Sequence, residues 1–156
     1  MKNWDRLNGL SLIFKLNFDM KFTINGRSFE IPDEWWQASG MLAYTLTESH
    51  YLSSSAKAIV PLEEIEPPLR DRGKMWFRGR DEVVSLLNGM LSYKEIPPIQ
   101  VWSKEKNSSN LYVVRDGYHR FYLSVAVGYS KIPVEINDYD INEFLENEAK
   151  GRLCAI

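Results

Sequence analysis

Apolar and polar positions change their rhythm several times along the chain, and each change marks an element. Residues 1–19 mix the two without a helical or strand period, and a cleaner pattern opens at Met20, so a start upstream of the native one is conceivable. From Phe22 to Ile31 apolar residues alternate around Asn25-Gly26. That pair supplies the positive φ angles of a two-residue turn, so a β-hairpin is expected. Pro32 ends it, and Asp33 stands where a helix N-cap belongs, ahead of a helix running through Trp35-Trp36 toward Leu46 with the tryptophans in the core. Ala58-Ile59-Val60 reads as a short buried strand. Val83, Val84, Leu86, Leu87, Met90 and Leu91 recur at helical spacing, which predicts an amphipathic helix over 81–91 stopped by Pro97-Pro98. Ile99–Trp102 and Leu111–Val114 are expected strands joined by a polar loop, Lys104–Asn110. A helix follows from Gly117 to Val127, with Gly128 as its C-terminal cap. Lys131–Ile136 should be a strand at a sheet edge, or one with Pro133 at its start. Asp140 is placed to cap a last helix bearing Ile141, Phe144, Leu145 and Ala149 on one face.

These elements predict an α+β fold: a small mixed β-sheet with packed helices, preceded by an N-terminal hairpin-helix extension. At 156 residues the chain is one domain's length, enough to bury about 70% of its unfolded surface. The small-polar run Leu52–Ser55 suggests a soft boundary between an extension over 1–56, packed on the core, and a domain over 57–156. A composition of 44% hydrophobic, 26% charged and 13% aromatic residues excludes disordered, collagen-like and disulfide-stapled classes. The longest apolar stretch, Leu10–Phe14, is closed by Lys15 and is far too short to span a bilayer, so no membrane partner is expected. Nothing at the N-terminus reads as a secretory signal, and the single cysteine, Cys154, excludes internal disulfides and cysteine-rich zinc sites, which makes the cytoplasm the expected compartment. His50 has no partner at metal-ligand spacing, and Asp138 with Asp140 is too sparse for a calcium loop.

The informative junction is Val114-Arg115-Asp116-Gly117-Tyr118-His119-Arg120, where a strand passes through a glycine into a helix. The first N–H groups of a helix lack internal partners and carry the positive end of its dipole, so such a junction suits phosphate oxygens. Gly117 permits close backbone approach, His119 and Arg120 add donors, and Asp116 can hold a metal, orient His119 or accept a hydroxyl proton. Spacing alone equally allows Asp116 to be a cap, His119 a surface residue and Arg120 the partner of an acid in the last helix. A second constellation is Arg70–Arg80, where Arg70, Arg72, Lys74, Arg78 and Arg80 surround Trp76 and Phe77. It reads either as a lid over a triphosphate, or track for a single strand, or as a solvated loop. The net charge is −2, yet residues 70–120 hold ten basic and six acidic residues against nine and fifteen in the remainder. The predicted phosphate turn therefore lies in the basic half.

Residues 59–136 resemble the ParB/sulfiredoxin-like superfamily. The resemblance rests on Ile59-Val60-Pro61-Leu62 with Ile65 and Pro67, then Pro97-Pro98-Ile99-Gln100-Val101, then Asp116-Gly117-Tyr118-His119-Arg120, and Gly128 with Ile132-Pro133-Val134. It implies that the Gly-x-x-Arg turn binds nucleotide phosphates, with ATP, ADP or CTP as ligand and Mg²⁺ beside it. Under that implication Asp116 and His119 are the catalytic candidates, Asp116 the metal ligand, and Gly117, Tyr118, His119, Arg120, Arg70, Arg72, Arg78 and Arg80 the nucleotide-binding set. Sulfiredoxin's reactive cysteine falls where this chain has Tyr118, so sulfinic-acid repair is not expected. About twenty residues follow Ile136, so a complete ParB with its DNA-binding and dimerisation domains is not expected. The free serine kinase relatives share Asp-Gly-x-His-Arg but place a glutamate after the first strand, and Pro67-Pro68-Leu69-Arg70 has none in the matching place, although Glu63, Glu64 and Glu66 are near. The leading expectation is an NTP hydrolase or phosphotransferase. The alternatives are a nucleic-acid-binding or nuclease module using the basic loop, which the net charge disfavours, and a non-catalytic interaction domain that responds to nucleotide.

Overall fold

The computed structural model describes residues 19–69, 77, 79–104 and 111–137. Strands β1 (Asp19–Ile24) and β2 (Arg27–Pro32) pair antiparallel from Ile24↔Arg27 to Asp19↔Pro32, and Asn25 (φ 46°) and Gly26 (φ 77°) make the expected turn. Phe29 and Ile31 are buried on alternate positions of β2, and Phe22 stacks on Phe29 across the pair. At the tip, the Asn25 side-chain amide donates to the Glu63 and Ile65 carbonyls at 3.0 and 3.3 Å. The hairpin is thereby fastened to the sheet below it.

Helix α1 (Asp33–Ala38) is much shorter than the pattern predicts, and Asp33 is not its cap. Pro32 holds the N-cap position without a side-chain cap bond, because the chain enters the helix straight from β2, and the Asp33 carboxylate instead accepts from Gln37 one turn on. The helix stops where Ser39 Oγ donates to the Trp36 carbonyl and Gly40 turns left-handed, with Leu91 packed 3.0 Å from where a Cβ would be. A single 3₁₀ turn, Met41–Ala43, follows. Trp36 is core and packs on Phe22, and Trp35 is half-buried against it.

The remaining strands are β3 (Ala58–Pro61), β4 (Ile65–Glu66), β5 (Ile99–Ser103), β6 (Tyr112–Asp116) and β7 (Lys131–Asn137). They form one mixed sheet in the order β3-β7-β5-β6-β4. β7 is antiparallel to β3 and parallel to β5, and β6 is antiparallel to β5 and parallel to β4. β7 is thus an interior strand and Pro133 is its third residue, contrary to the edge expectation. Burial of Ile132, Pro133 and Val134 outweighs the one ladder bond that proline cannot donate. The edge falls to β3, where Val60 faces the core and Ile59 stays 44% exposed, so that strand is only half buried.

Helix α2 (Arg80–Leu91) buries Val83, Leu87 and Met90 at i, i+4 and i+7. Helix α3 (Tyr118–Val127) buries seven of its ten residues and is the central helix of the packing. Gly128 at φ 98° ends it, with Tyr129 N–H returning to the Ser124 carbonyl. The expected helix from Asp140, the loop 105–110 and nearly all of the basic segment 70–78 lie outside the described residues.

Candidate functional site

The strand-glycine-helix junction is present as expected: β6 ends at Asp116, Gly117 adopts φ 118°, and α3 begins at Tyr118. Phe121 N–H makes the first intrahelical bond, to the Gly117 carbonyl, which leaves the preceding N–H groups at the helix start without an intrahelical partner. Glycine at this position answers to packing as well as to dihedral angle. A Cβ on Gly117 would lie 2.4 Å from Ile99 Cγ2 and 2.7 Å from Ile99 Cβ. The start of β5 therefore presses into the turn, and no other residue fits between them.

This turn opens on a cleft of about 1220 Å³. Its lining draws on Glu82 of α2, Gln100 of β5, Arg115 and Asp116 of β6, and His119 and Arg120 of α3. The register of β5 on β6 shifts beside the cleft. Val101 faces Val114 but Gln100 faces Asp116, so Arg115 is an inserted residue and the bulge brings Arg115 and Asp116 together beside Gln100. Arg115 then lies over the Trp102 ring, 5.7 Å from its centroid.

The two motif residues with the most chemistry have different surroundings. His119 is buried, with a 9% exposed side chain, and its Nδ1 lies 3.5 Å from Glu82 Oε1 on α2. Phe77 and Tyr118 pack on its ring at 5.6 and 5.8 Å between centroids. Asp116 is 70% exposed and, among the described residues, pairs with Arg120 Nη2 at 3.4 Å. Arg120 is 17% exposed, and its Nη1 donates to the Pro97 and Pro98 carbonyls at 3.0 and 2.8 Å. Three of its five N–H groups are thus engaged among the described residues.

Of the basic segment, Arg70, Arg72 and Arg78 lie outside the described residues. Arg80 is described and does not line the cleft. It opens α2, and its Nε and Nη2 grip the Glu34 carboxylate of α1 in bidentate fashion at 2.7–3.0 Å. That hydrogen bond, with the guanidinium charge, holds the Glu34 carboxyl below its ordinary range. Gly117, Tyr118, His119, Arg120 and Asp116 are brought together, and Arg80 is held apart from them.

Sequence reasoning missed Glu82, because nothing local shows that the first turn of α2 faces the first turn of α3. It also missed Tyr51, which is 1% exposed and donates its hydroxyl to the Pro97 carbonyl at 2.8 Å. Burial holds that hydroxyl far above the ordinary phenol range, with the Arg120 charge pulling the other way.

Among the described residues no helix is long and apolar enough to cross a membrane, and no three His, Cys, Asp or Glu side chains cluster as metal ligands. No protein-family model and no curated protein matches the chain. Among solved structures, one similar chain is sulfiredoxin from Arabidopsis thaliana, at 24% identity and TM-score 0.45 over 59% of this chain and 94% of that one. Another is the C-terminally truncated chromosome-partitioning protein ParB from Caulobacter crescentus complexed with CTP-gamma-S, at 20% identity and TM-score 0.43 over 57% of this chain. The match spans 48% of that ParB chain. Each is a likeness of fold over part of this chain.

Proposed function

We propose that the protein binds a nucleotide by its phosphates at the Asp116–Arg120 turn and acts on the terminal phosphate by hydrolysis or transfer. The observation that carries this reading is the convergence, on one open cleft, of the start of α3, the buried His119 with Glu82 behind it, and the exposed carboxylate of Asp116. The positive end of a helix dipole and its first N–H groups favour anionic oxygens, and the His119 and Arg120 side chains add donors beside them. The motif resemblance supplies the ligand class, a nucleotide such as ATP, ADP or CTP. The exposed carboxylate of Asp116 suits Mg²⁺, which binds through one or two carboxylates and the ligand's phosphates. Asp116 would hold that ion, and the ion would neutralise phosphate charge. In this reading Glu82, beside Nδ1, orients the His119 ring, and Nε2 would exchange the proton that hydrolysis or transfer requires.

Thermal shift against ATP, ADP, CTP and GTP, with and without Mg²⁺, tests this on the wild type and on His119→Gln. A ligand at one hundred times its Kd stabilises the fold by about 2.7 kcal/mol. A nucleotide-selective shift that His119→Gln abolishes, with its secondary structure intact by circular dichroism, supports the site, and phosphate release supports the chemistry. Binding without turnover reduces the reading to a nucleotide-responsive module. No shift with any nucleotide overturns it, and cleavage of added single-stranded DNA in Mg²⁺ would move the function to nucleic acid.

A further inference from the structure

The extension over 1–56 carries none of the motif residues, yet it supplies part of the site. Leu52 accepts from Ile96 N–H at 3.0 Å, and Ser54 N–H donates to both Glu95 carboxylate oxygens at 3.2 and 3.1 Å. This stitching lays the segment alongside 95–97 and seats Tyr51 beneath the Pro97-Pro98 corner. The Tyr51 hydroxyl and Arg120 Nη1 both donate to the Pro97 carbonyl, and Arg120 also reaches the Pro98 carbonyl. Ile99, two residues beyond Pro97, is the residue that presses on Gly117. One buried hydroxyl thus binds the corner that holds the motif arginine, and that corner leads directly into the strand start packed on the motif glycine.

We infer that Tyr51 is the positioning residue for Arg120: its hydroxyl fixes the Pro97 carbonyl, which with the Pro98 carbonyl clamps one guanidinium nitrogen and leaves the remaining N–H groups toward the cleft. A carbonyl has two lone pairs, so the tyrosine and the arginine bind it together without competing. Arg120 needs the clamp because an unheld guanidinium beside the exposed Asp116 would turn to pair with that carboxylate in full. The consequence for ligand binding rests on the nucleotide reading above, and the clamp itself does not.

The test uses the full chain as wild type, Tyr51→Phe and Arg120→Lys, with arginine side chains labelled with ¹⁵N. Tyr51→Phe removes one oxygen and keeps the buried ring. In the wild type the clamped Nη1 and the Nη2 of Arg120 give two separate resonances, because rotation about the guanidinium bond is hindered. The expected result in Tyr51→Phe is their collapse to one averaged signal, with ATP affinity about fivefold weaker, the size of one lost hydrogen bond. In an Arg120→Lys background, Tyr51→Phe should leave affinity unchanged, since a residue acting through another is non-additive with it. Separate Nη signals persisting in Tyr51→Phe overturn the inference, whatever the affinity does. Collapse with unchanged affinity overturns the link to the ligand. A wild type that binds no nucleotide is a separate failure of the nucleotide reading, and the Nη signals then still decide whether Tyr51 holds Arg120.

Discussion

Two glycine turns in this protein look alike in the sequence and differ in what surrounds them. Gly26, at φ 77° in the β1/β2 hairpin, has nothing within 4 Å of the place a Cβ would occupy. Gly117, at φ 118° between β6 and α3, has Ile99 there at 2.4 Å. The first glycine answers to a dihedral angle alone. The second answers to a dihedral angle and to a strand packed against it, and the arginine three residues on holds the loop leading into that strand through two carbonyls. A motif that suits a phosphate is therefore also a joint of the fold, and substitutions in it will mix loss of ligand with loss of structure.

The comparison breaks most visibly at Gly117→Ala. Overpacking against Ile99 and a dihedral angle that alanine resists together cost about 4 kcal/mol, read as a fall in the urea midpoint, and the variant is expected to be partly unfolded at 37 °C. An equal loss at Gly26→Ala would erase the contrast. Arg120→Gln comes next, at about 2 kcal/mol, because it removes a charged donor from the Pro97 and Pro98 carbonyls; chemical denaturation measures it, and a neutral result would mean the clamp carries no stability. Gly26→Ala should cost only about 1 kcal/mol, the left-handed penalty without a clash.

The smallest effect is at Glu34, exposed and paired with Arg80. Its folded pKa lies below the ordinary 4.5, so the pair contributes stability above that value and loses it as pH falls through the lower folded value. The difference in melting temperature between wild type and Glu34→Gln should be present at neutral pH, shrink with added salt and vanish in acid. A difference that grows in acid would contradict the pair's role.

What was legible in the sequence is what depends on near neighbours. Asn25-Gly26 and Gly128 announce their positive φ angles, and the spacing of Val83, Leu87 and Met90 gives α2 its buried face. The early stop of α1 was also within reach, since Ser39-Gly40 is a turn signal inside a helical pattern. Pro133 misled because the edge rule counts a lost ladder bond but not the burial of the strand around it. The mixed sheet and the strand-glycine-helix turn were readable from order and spacing. The partners of that turn were not. Arg120 binds carbonyls 22 and 23 residues back, His119 meets an acid on another helix, and Tyr51 reaches Pro97 across 46 residues. Backbone carbonyls bear no mark in a sequence, and the facing of two helix starts is set by the packing of α2 against α3.

The central claim is that the start of α3 receives phosphate oxygens. The most direct measurement is a titration of ¹⁵N-labelled wild-type protein with ATP, ADP and CTP in Mg²⁺, following each backbone amide. The account predicts saturable shifts largest at Tyr118, His119 and Arg120, with Gly117 beside them, for at least one nucleotide. Saturable shifts centred elsewhere, or none at these amides with any of the three, would contradict it.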